Sequence, residues 1–220
     1  MDLEYLKKTA LFKNMTDTEI RSALKALQAD EKSYARNETI LHAGSRTDRM
    51  GLVLSGNVRI ESTDIWGNRT LLNKTGPGHY FAESYALLPE EPMLVDAVAD
   101  EDCRILFLKV DTLGSADEPV ETWKAKAAAN LLGISVRKNL SLSGRSFHTS
   151  PKTIRGRVMA YLNSVSLKAR SNEFDSPFDR PQLADYLNLE RSALSKELGK
   201  MRRDKILSFR KNHFILHKTQ

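Results

Sequence analysis

One cysteine, Cys103, stands in 220 residues. An internal disulfide, a four-thiolate zinc site and a cysteine-held iron–sulfur cluster are therefore out of reach, and its setting in CRILFL reads as a packed core thiol. Long apolar runs are missing too: none approaches the roughly 18 to 20 residues that cross a bilayer. The opening MDLEYLKKTALFK is an interrupted amphipathic pattern with early acids rather than a signal peptide, so a cytoplasmic location is expected. No Ser-His-Asp set, phosphate-binding glycine loop or paired-carboxylate arrangement can be placed, and Glu90-Glu91 beside Pro89 reads as an exposed loop, which argues against an enzyme. His79 and Glu83 stand four apart, but a second histidine pair to complete a metal site is absent, and His42 is alone. One histidine suffices for haem, yet nothing selects His42, His79 or His148. No metal and no other cofactor is expected.

What is present is ordinary globular material, 40% hydrophobic and 28% charged, enough for one large domain or two small ones. The net charge of +6 is unevenly placed. Residues 151–220 hold 15 Lys and Arg against 7 Asp and Glu, whereas residues 1–150 hold 19 against 21. Within the basic end, residues 191–220 alone carry 9 positive and 2 negative side chains, a field that attracts a polyanion.

Ile20, Leu24 and Leu27 recur at helical intervals behind Thr16, with Asp17 and Glu19 in the first turn, and predict a small helix. From Glu38 the pattern changes to short strand-like runs, ETILHA, MGLVLSG, NVRIESTDI, NRTLLNKT and CRILFLKV, with glycines expected at their ends. Such spacing predicts an antiparallel roll of about eight strands, ending near Ala116. Asp117 and Pro119 then open a long helix whose Val120, Trp123, Ala127, Leu131 and Ile134 share one face. That face must pack on its own roll or meet a copy of itself, and the second is expected. SLSGRSFHTSP reads as a hinge, with Ser150 and Pro151 starting a new helical domain over residues 152–165.

In that domain Asp179 and Pro181 open a helix that Asn188 ends, because asparagine tolerates the left-handed conformation that breaks a helix abruptly. A third helix starts near Glu190. Ala184 supplies the small residue where two helices cross closely, and Leu183, Leu187, Leu194 and Leu198 anchor them. This is a helix-turn-helix. With Leu194 and Leu198 inside, Arg191, Ser192, Ser195 and Lys196 project outward, and these types bond to base edges or phosphate. ILSFRKNHFILH alternates around the turn Arg210 to His213 as a hairpin wing would, placing Arg210 and Lys211 for phosphate.

The opening TALFKNMTDTEI, the run GLVLSGNVRI with DIWGNRTLL, the turn GPGHYFAES and above all DRPQLADYLNLERSALSKELGKMRRDKIL resemble the Crp/Fnr family of bacterial transcription regulators along nearly the whole chain. The resemblance implies an α+β chain: a cyclic-nucleotide-binding-like β-roll (a double-stranded β-helix) over 1–116, a central dimerisation helix over 117–142, a hinge over 143–150 and a winged helix-turn-helix over 151–220. It further implies a homodimer on a two-fold symmetric DNA operator, RNA polymerase as partner if it activates, and a small-molecule effector. By position Arg180 resembles a phosphate contact, and Arg191, Ser192 and Lys196 the base-reading set. Ser192 stands where cyclic-AMP binders carry glutamate, so the operator is expected to differ from theirs. The role of Glu190 stays open.

The implied effector pocket comprises Gly78, Phe81, Ala82, Glu83, Ser84, Met93 and Leu94. Ala82 and Glu83 answer the family's ribose-binding pair, but Met93 and Leu94 replace the Arg-Ser pair that takes the cyclic phosphate. An anion buried without a cationic partner loses several kcal/mol, so cyclic AMP is not the expected effector. The alternative reading is a signalling module whose winged helix docks a protein.

Overall fold

The computed structural model describes residues 2–114 and 122–217, and the chain divides into two compact units, residues 1–137 and 138–220. Val120, Asp117 and Pro119 of the expected long helix lie outside the described residues.

The N-terminal unit opens with α1 (Leu3–Lys7) and α2 (Asp17–Ala26). Thr16 starts α2 as expected: its hydroxyl accepts from the Glu19 amide at 3.3 Å while the Glu19 carboxylate accepts from the Thr16 amide at 2.8 Å. Such reciprocal capping satisfies two otherwise orphaned donors and is worth about 1 kcal/mol. Eight strands follow: β1 (Asp30–Tyr34), β2 (Thr39–Leu41), β3 (Arg49–Ser55), β4 (Val58–Thr63), β5 (Arg69–Thr75), β6 (Tyr80–Phe81), β7 (Asp96–Ala99) and β8 (Cys103–Lys109), with the short helix α3 (Glu83–Leu87) between β6 and β7. They form two antiparallel four-stranded sheets in the orders β1-β8-β3-β6 and β2-β7-β4-β5. The roll is the one expected, but β1, with the polar sequence DEKSY on a sheet edge, carries no apolar alternation by which to find it.

Two apolar clusters hold this unit. Between the sheets lie Ile40, Val53, Val58, Phe81, Ala97, Ala99, Cys103, Ile105 and Phe107. Burial raises the Cys103 thiol pKa, in keeping with a core role. The second cluster joins Leu52, Tyr80, Leu106 and Leu108 to Leu6, Leu11, Phe12 and Ile20 of the N-terminal segment and to Trp123, Ala127, Leu131 and Ile134. Those last four lie on α4 (Thr122–Thr149). The face expected to meet a second copy is therefore consumed by the chain's own N-terminal helices, and the dimer assignment of Trp123, Ala127, Leu131 and Ile134 is corrected. Asn130 serves the same packing, its Nδ2 donating to the carbonyls of Leu11 at 2.8 Å and Lys13 at 2.9 Å. On the exposed side of α4 stand Leu132 and Val136, 65% and 47% accessible.

α4 also corrects the hinge expected over 143–150, because the helix continues to Thr149. No proline falls between residues 122 and 150, Gly144 costs only about 1 kcal/mol, and the Thr149 hydroxyl turns back onto the Arg145 carbonyl at 2.9 Å. The next helix, α5 (Ile154–Ala169), is capped by Thr153 rather than Ser150, the Thr153 Oγ1 accepting from the Gly156 amide at 3.0 Å.

The C-terminal unit continues with β9 (Glu173–Asp175), α6 (Arg180–Tyr186), α7 (Arg191–Arg203), β10 (Leu207–Arg210) and β11 (His213–Leu216). β9 lies in the stretch SNEFDSPFD, whose two aromatics, Phe174 and Phe178, make no strand alternation; Phe174 is buried and pairs with Phe214 as the antiparallel sheet β10-β11-β9 closes. Its core gathers Val158, Tyr161, Leu162, Leu183, Ala184, Leu187, Leu194, Leu198, Met201 and Leu207.

Candidate nucleic-acid interface and sensor site

The corner between α6 and α7 is built from local chemistry. Asp179 caps α6 by accepting from the Gln182 amide at 2.8 Å, and the Gln182 side chain returns a bond to the Asp179 amide at 2.9 Å. Asn188 ends the helix with φ at +52°. The Leu189 amide then closes on the Ala184 carbonyl at 2.9 Å, which brings the chain directly over the small residue expected at the crossing. Glu190 takes the N-cap position of α7 without a side-chain cap bond.

Burying Leu194 and Leu198 fully sets the rotation of α7, at about 1.5 to 3 kcal/mol for each leucine. Arg191, Ser192, Ser195 and Lys196 consequently all face outward on its first two turns. Arg191 Nη2 lies 3.7 Å from the Asp185 carboxylate, an exposed pair that contributes little to stability. α5 steadies the back of the helix through Arg155, which pairs with Glu197 and with Asp204, each at 2.7 Å.

The wing is the hairpin expected: β10 and β11 pair from Leu207↔Leu216 to Arg210↔His213, leaving Lys211 and Asn212 as the turn. Arg210 and Lys211 are exposed, and Lys211 holds φ at +56°. Arg180 sits differently from an open phosphate contact. Its guanidinium lies 5.0 Å from the Phe209 ring centre and 5.6 Å from that of Phe214, and Nη2 donates to the Lys211 carbonyl at 3.1 Å. Nη1 is buried with no hydrogen-bond partner among the described residues, and burial lowers the Arg180 pKa below the ordinary guanidinium value. The structure thus gives Arg180 a bracing role, joining the start of α6 to the wing turn. Its partners lie about thirty residues downstream, where local reading does not reach.

Three residues that contact this corner escaped the sequence reading. Arg145 donates to the carbonyls of Tyr186 at 3.1 Å and Asp185 at 3.2 Å and to Asn188 Oδ1 at 3.1 Å. Arg157 donates to the carbonyls of Leu187 and Asn188 at 3.3 and 3.2 Å. His148 is buried with Nδ1 2.9 Å from the Tyr186 hydroxyl, and burial lowers its pKa. No local signal marks any of them, since their partners are 30 to 43 residues away.

In the roll, the residues expected to form one effector pocket differ in burial. Phe81 fills the interior between the sheets, with its ring standing where a side chain at Gly51 would be. This also corrects the expectation that Gly51 ends a strand: it lies inside β3 and makes room for the ring. Gly78 turns with φ at +79°, Ala82 takes the left-handed conformation ahead of α3, and Glu83 is buried. Met93 is buried while Leu94 is 77% exposed. Ser84 and Leu94 meet outside the interior, in a groove of about 280 Å³ shared with Tyr85, Leu88, Glu91 and Pro92, and no lysine or arginine lines it. Among the described residues no group of three or more His, Cys, Asp or Glu is placed to hold a metal ion, and no helix is long and apolar enough to cross a membrane.

Comparison with known proteins adds the family. The chain is similar to a cyclic AMP receptor protein of Thermus thermophilus, 33% identical over 103 residues, a stretch that spans 47% of this chain and 46% of that protein. A crystal structure from Ruegeria pomeroyi, named for cyclic nucleotide binding, shares the fold at a TM-score of 0.51 and 19% identity, covering 98% of this chain and 94% of the other. The Thermus thermophilus catabolite activator protein is 24% identical over 95% of this chain and 94% of its own, with a TM-score of 0.48. Residues 31–116 match the cyclic nucleotide-binding domain family and residues 156–220 match the Crp-like helix-turn-helix domain family. With a nucleotide-binding-type roll followed in one chain by a Crp-like helix-turn-helix, the protein belongs to the Crp/Fnr family of transcription regulators.

Proposed function

We propose that this chain is a homodimeric, sequence-specific DNA-binding regulator whose roll senses a small molecule other than cyclic AMP. The observation that carries the reading is the quartet Arg191, Ser192, Ser195 and Lys196, exposed together on the first turns of α7 beside a wing tipped by Arg210 and Lys211. Arginine at that position suits a guanine edge, the serines suit several bases, and the wing cations suit phosphate. Two copies reading half-sites about one helical turn apart would match a two-fold symmetric operator. The seam for such a dimer is the open side of α4 around Leu132 and Val136, because the opposite face is already buried.

Charge and space both disfavour cyclic AMP. Apolar side chains fill the roll interior, Phe81 among them, and Met93 and Leu94 bring no cation to a cyclic phosphate. No resident metal or haem enters this reading, and RNA polymerase is the second macromolecular partner if the regulator activates. The task is one of the cytoplasm.

Selection of bound fragments from random duplexes tests the proposal. The chain should enrich a two-fold symmetric sequence, with affinity falling steeply as salt rises because counterions released by the lysines and arginines must be taken up again. Arg191→Ala should lower discrimination by about 1 to 3 kcal/mol at one base step while leaving the dimer intact. Absence of any enriched sequence, or salt-insensitive capture of a protein instead, overturns it.

A further inference from the structure

Four consecutive carbonyls, from Asp185 to Asn188, each accept a hydrogen bond from a guanidinium. Arg145, near the end of α4, takes Asp185 and Tyr186 and adds the Asn188 side chain. Arg157, on α5, takes Leu187 and Asn188, while its own Nε is tied to the Pro151 carbonyl at 3.0 Å. These carbonyls end α6 and form the turn into α7, where the backbone runs left-handed through Asn188. A helix C-terminus leaves such carbonyls without intrahelical partners and with partial negative charge, so cations are favoured there. The planar fork of arginine also fixes direction, which the single ammonium of lysine does not.

Further contacts hold the same corner. The Arg145 guanidinium lies 5.7 Å from the Tyr186 ring centre, and the Tyr186 hydroxyl meets His148, one turn further along α4. Arg145 and Arg157 are half-buried, whereas the four outward residues of α7 are open. Their guanidinium groups bond to the protein's own backbone and, for Arg145, to the Asn188 side chain.

We infer that Arg145 is a positioning residue for sequence recognition: with Arg157 it sets the direction in which α7 leaves the corner, without touching DNA. The inference rests on the DNA-binding reading above. It makes Arg145 responsible for selectivity, because a recognition helix turned by a few degrees still meets phosphate but no longer aligns with base edges.

The test uses the full chain and the duplex that it selects from random sequence, with an unrelated duplex as reference, over a range of salt. Arg145→Met retains the apolar stem and removes every donor; it should bind the selected duplex at least tenfold more weakly and the reference duplex nearly as well as the parent. The slope of log affinity against log salt should be unchanged, since no phosphate contact is lost. Arg145→Lys should recover part of the selectivity. Parental selectivity in the Met variant overturns the inference. So does an equal loss on both duplexes with a slope reduced by about one per protomer, the signature of a phosphate contact. Full recovery in the Lys variant also overturns it, because charge alone would then suffice. Should the Met variant melt below the assay temperature, the Lys variant decides: reduced selectivity at parental slope supports the inference, and parental selectivity overturns it. A parent chain that enriches no sequence overturns the DNA reading itself, an outcome distinct from a selective parent with an equally selective variant.

Discussion

The ring of Phe81 occupies the space that a side chain at position 51 would need, so Gly51 and Phe81 together determine how full the roll interior is. Gly51 pairs with Phe81 across β3 and β6, and Ile105 would stand 3.1 Å from an added Cβ on the same side. Adjacent residues of β6 serve opposite faces: Phe81 turns into the roll, and Tyr80 turns outward to donate to Thr9 Oγ1 and accept from the Leu11 amide.

Gly51→Ala should therefore destabilise the chain by about 1 to 3 kcal/mol, the usual cost of overpacking a closed core. Phe81→Leu in the same chain should restore part of that loss, because it removes the ring atoms that clash. Denaturant unfolding of the two single variants and the double variant checks this through the coupling between sites, and strict additivity would contradict it.

Millimolar cyclic AMP should leave the thermal midpoint unchanged. A ligand at a hundred times its dissociation constant stabilises by about 2.7 kcal/mol, a shift of several degrees that is easy to see in a melting curve. A clear rise in midpoint would contradict the charge argument made from Met93 and Leu94.

Lys211→Gly should weaken binding to selected and unrelated duplexes by a similar factor and reduce the salt slope by about one per protomer, since a phosphate contact carries no sequence information. Stability should not fall, because Lys211 holds φ at +56°, where glycine is the unstrained choice, and its carbonyl still receives Arg180. An altered base preference in a competition assay would contradict this assignment.

The wing sheet should carry a pH-dependent element. His213 places Nδ1 3.0 Å from Asp175 and Nε2 3.2 Å from Glu173, both on β9, and these carboxylates, Asp175 first, raise its pKa above the ordinary imidazole value of 6.5. A raised folded pKa means that the stabilisation is fully present below 6.5 and is lost as pH rises through the folded value. Thermal midpoints of the parent and His213→Gln should thus differ most in the acid range and converge on the alkaline side. His148 acts in the opposite sense: burial lowers its pKa, so its stabilisation is lost as pH falls below 6.5, and the comparison with His213→Gln cancels that contribution. A gap between the two chains that widens with rising pH would contradict the assignment.

Where sequence and structure agree, the determinants are close along the chain. Thr16 with Glu19, Asp179 with Gln182, and Asn188 three residues before Arg191 are local devices, and each produces the expected helix end. The phase of α7 follows from Leu194 and Leu198, four apart on one helix, and it carries Arg191, Ser192, Ser195 and Lys196 outward with it. Where they differ, the deciding partner is distant. Periodicity identifies Trp123, Ala127, Leu131 and Ile134 as a buried face but does not name what buries it; Leu6, Leu11 and Phe12, more than a hundred positions earlier, do so. SLSGRSFHT is rich in residues that favour turns, yet its arginine and histidine engage Tyr186 and the segment remains helical.

The order of residues alone indicated a roll of about eight strands, a long helix and a winged helix-turn-helix with a basic outward face, because capping, left-handed stops and apolar periodicity act over one to seven positions and need no partner beyond their own element. Tertiary structure alone decided which side of α4 stays open, that Phe81 fills the roll, that Arg180 braces the wing, and that Arg145 and Arg157 hold the corner. Each of these is a pairing between segments that only the folded chain brings within hydrogen-bond or van der Waals range, and such pairings leave no periodic trace in the sequence.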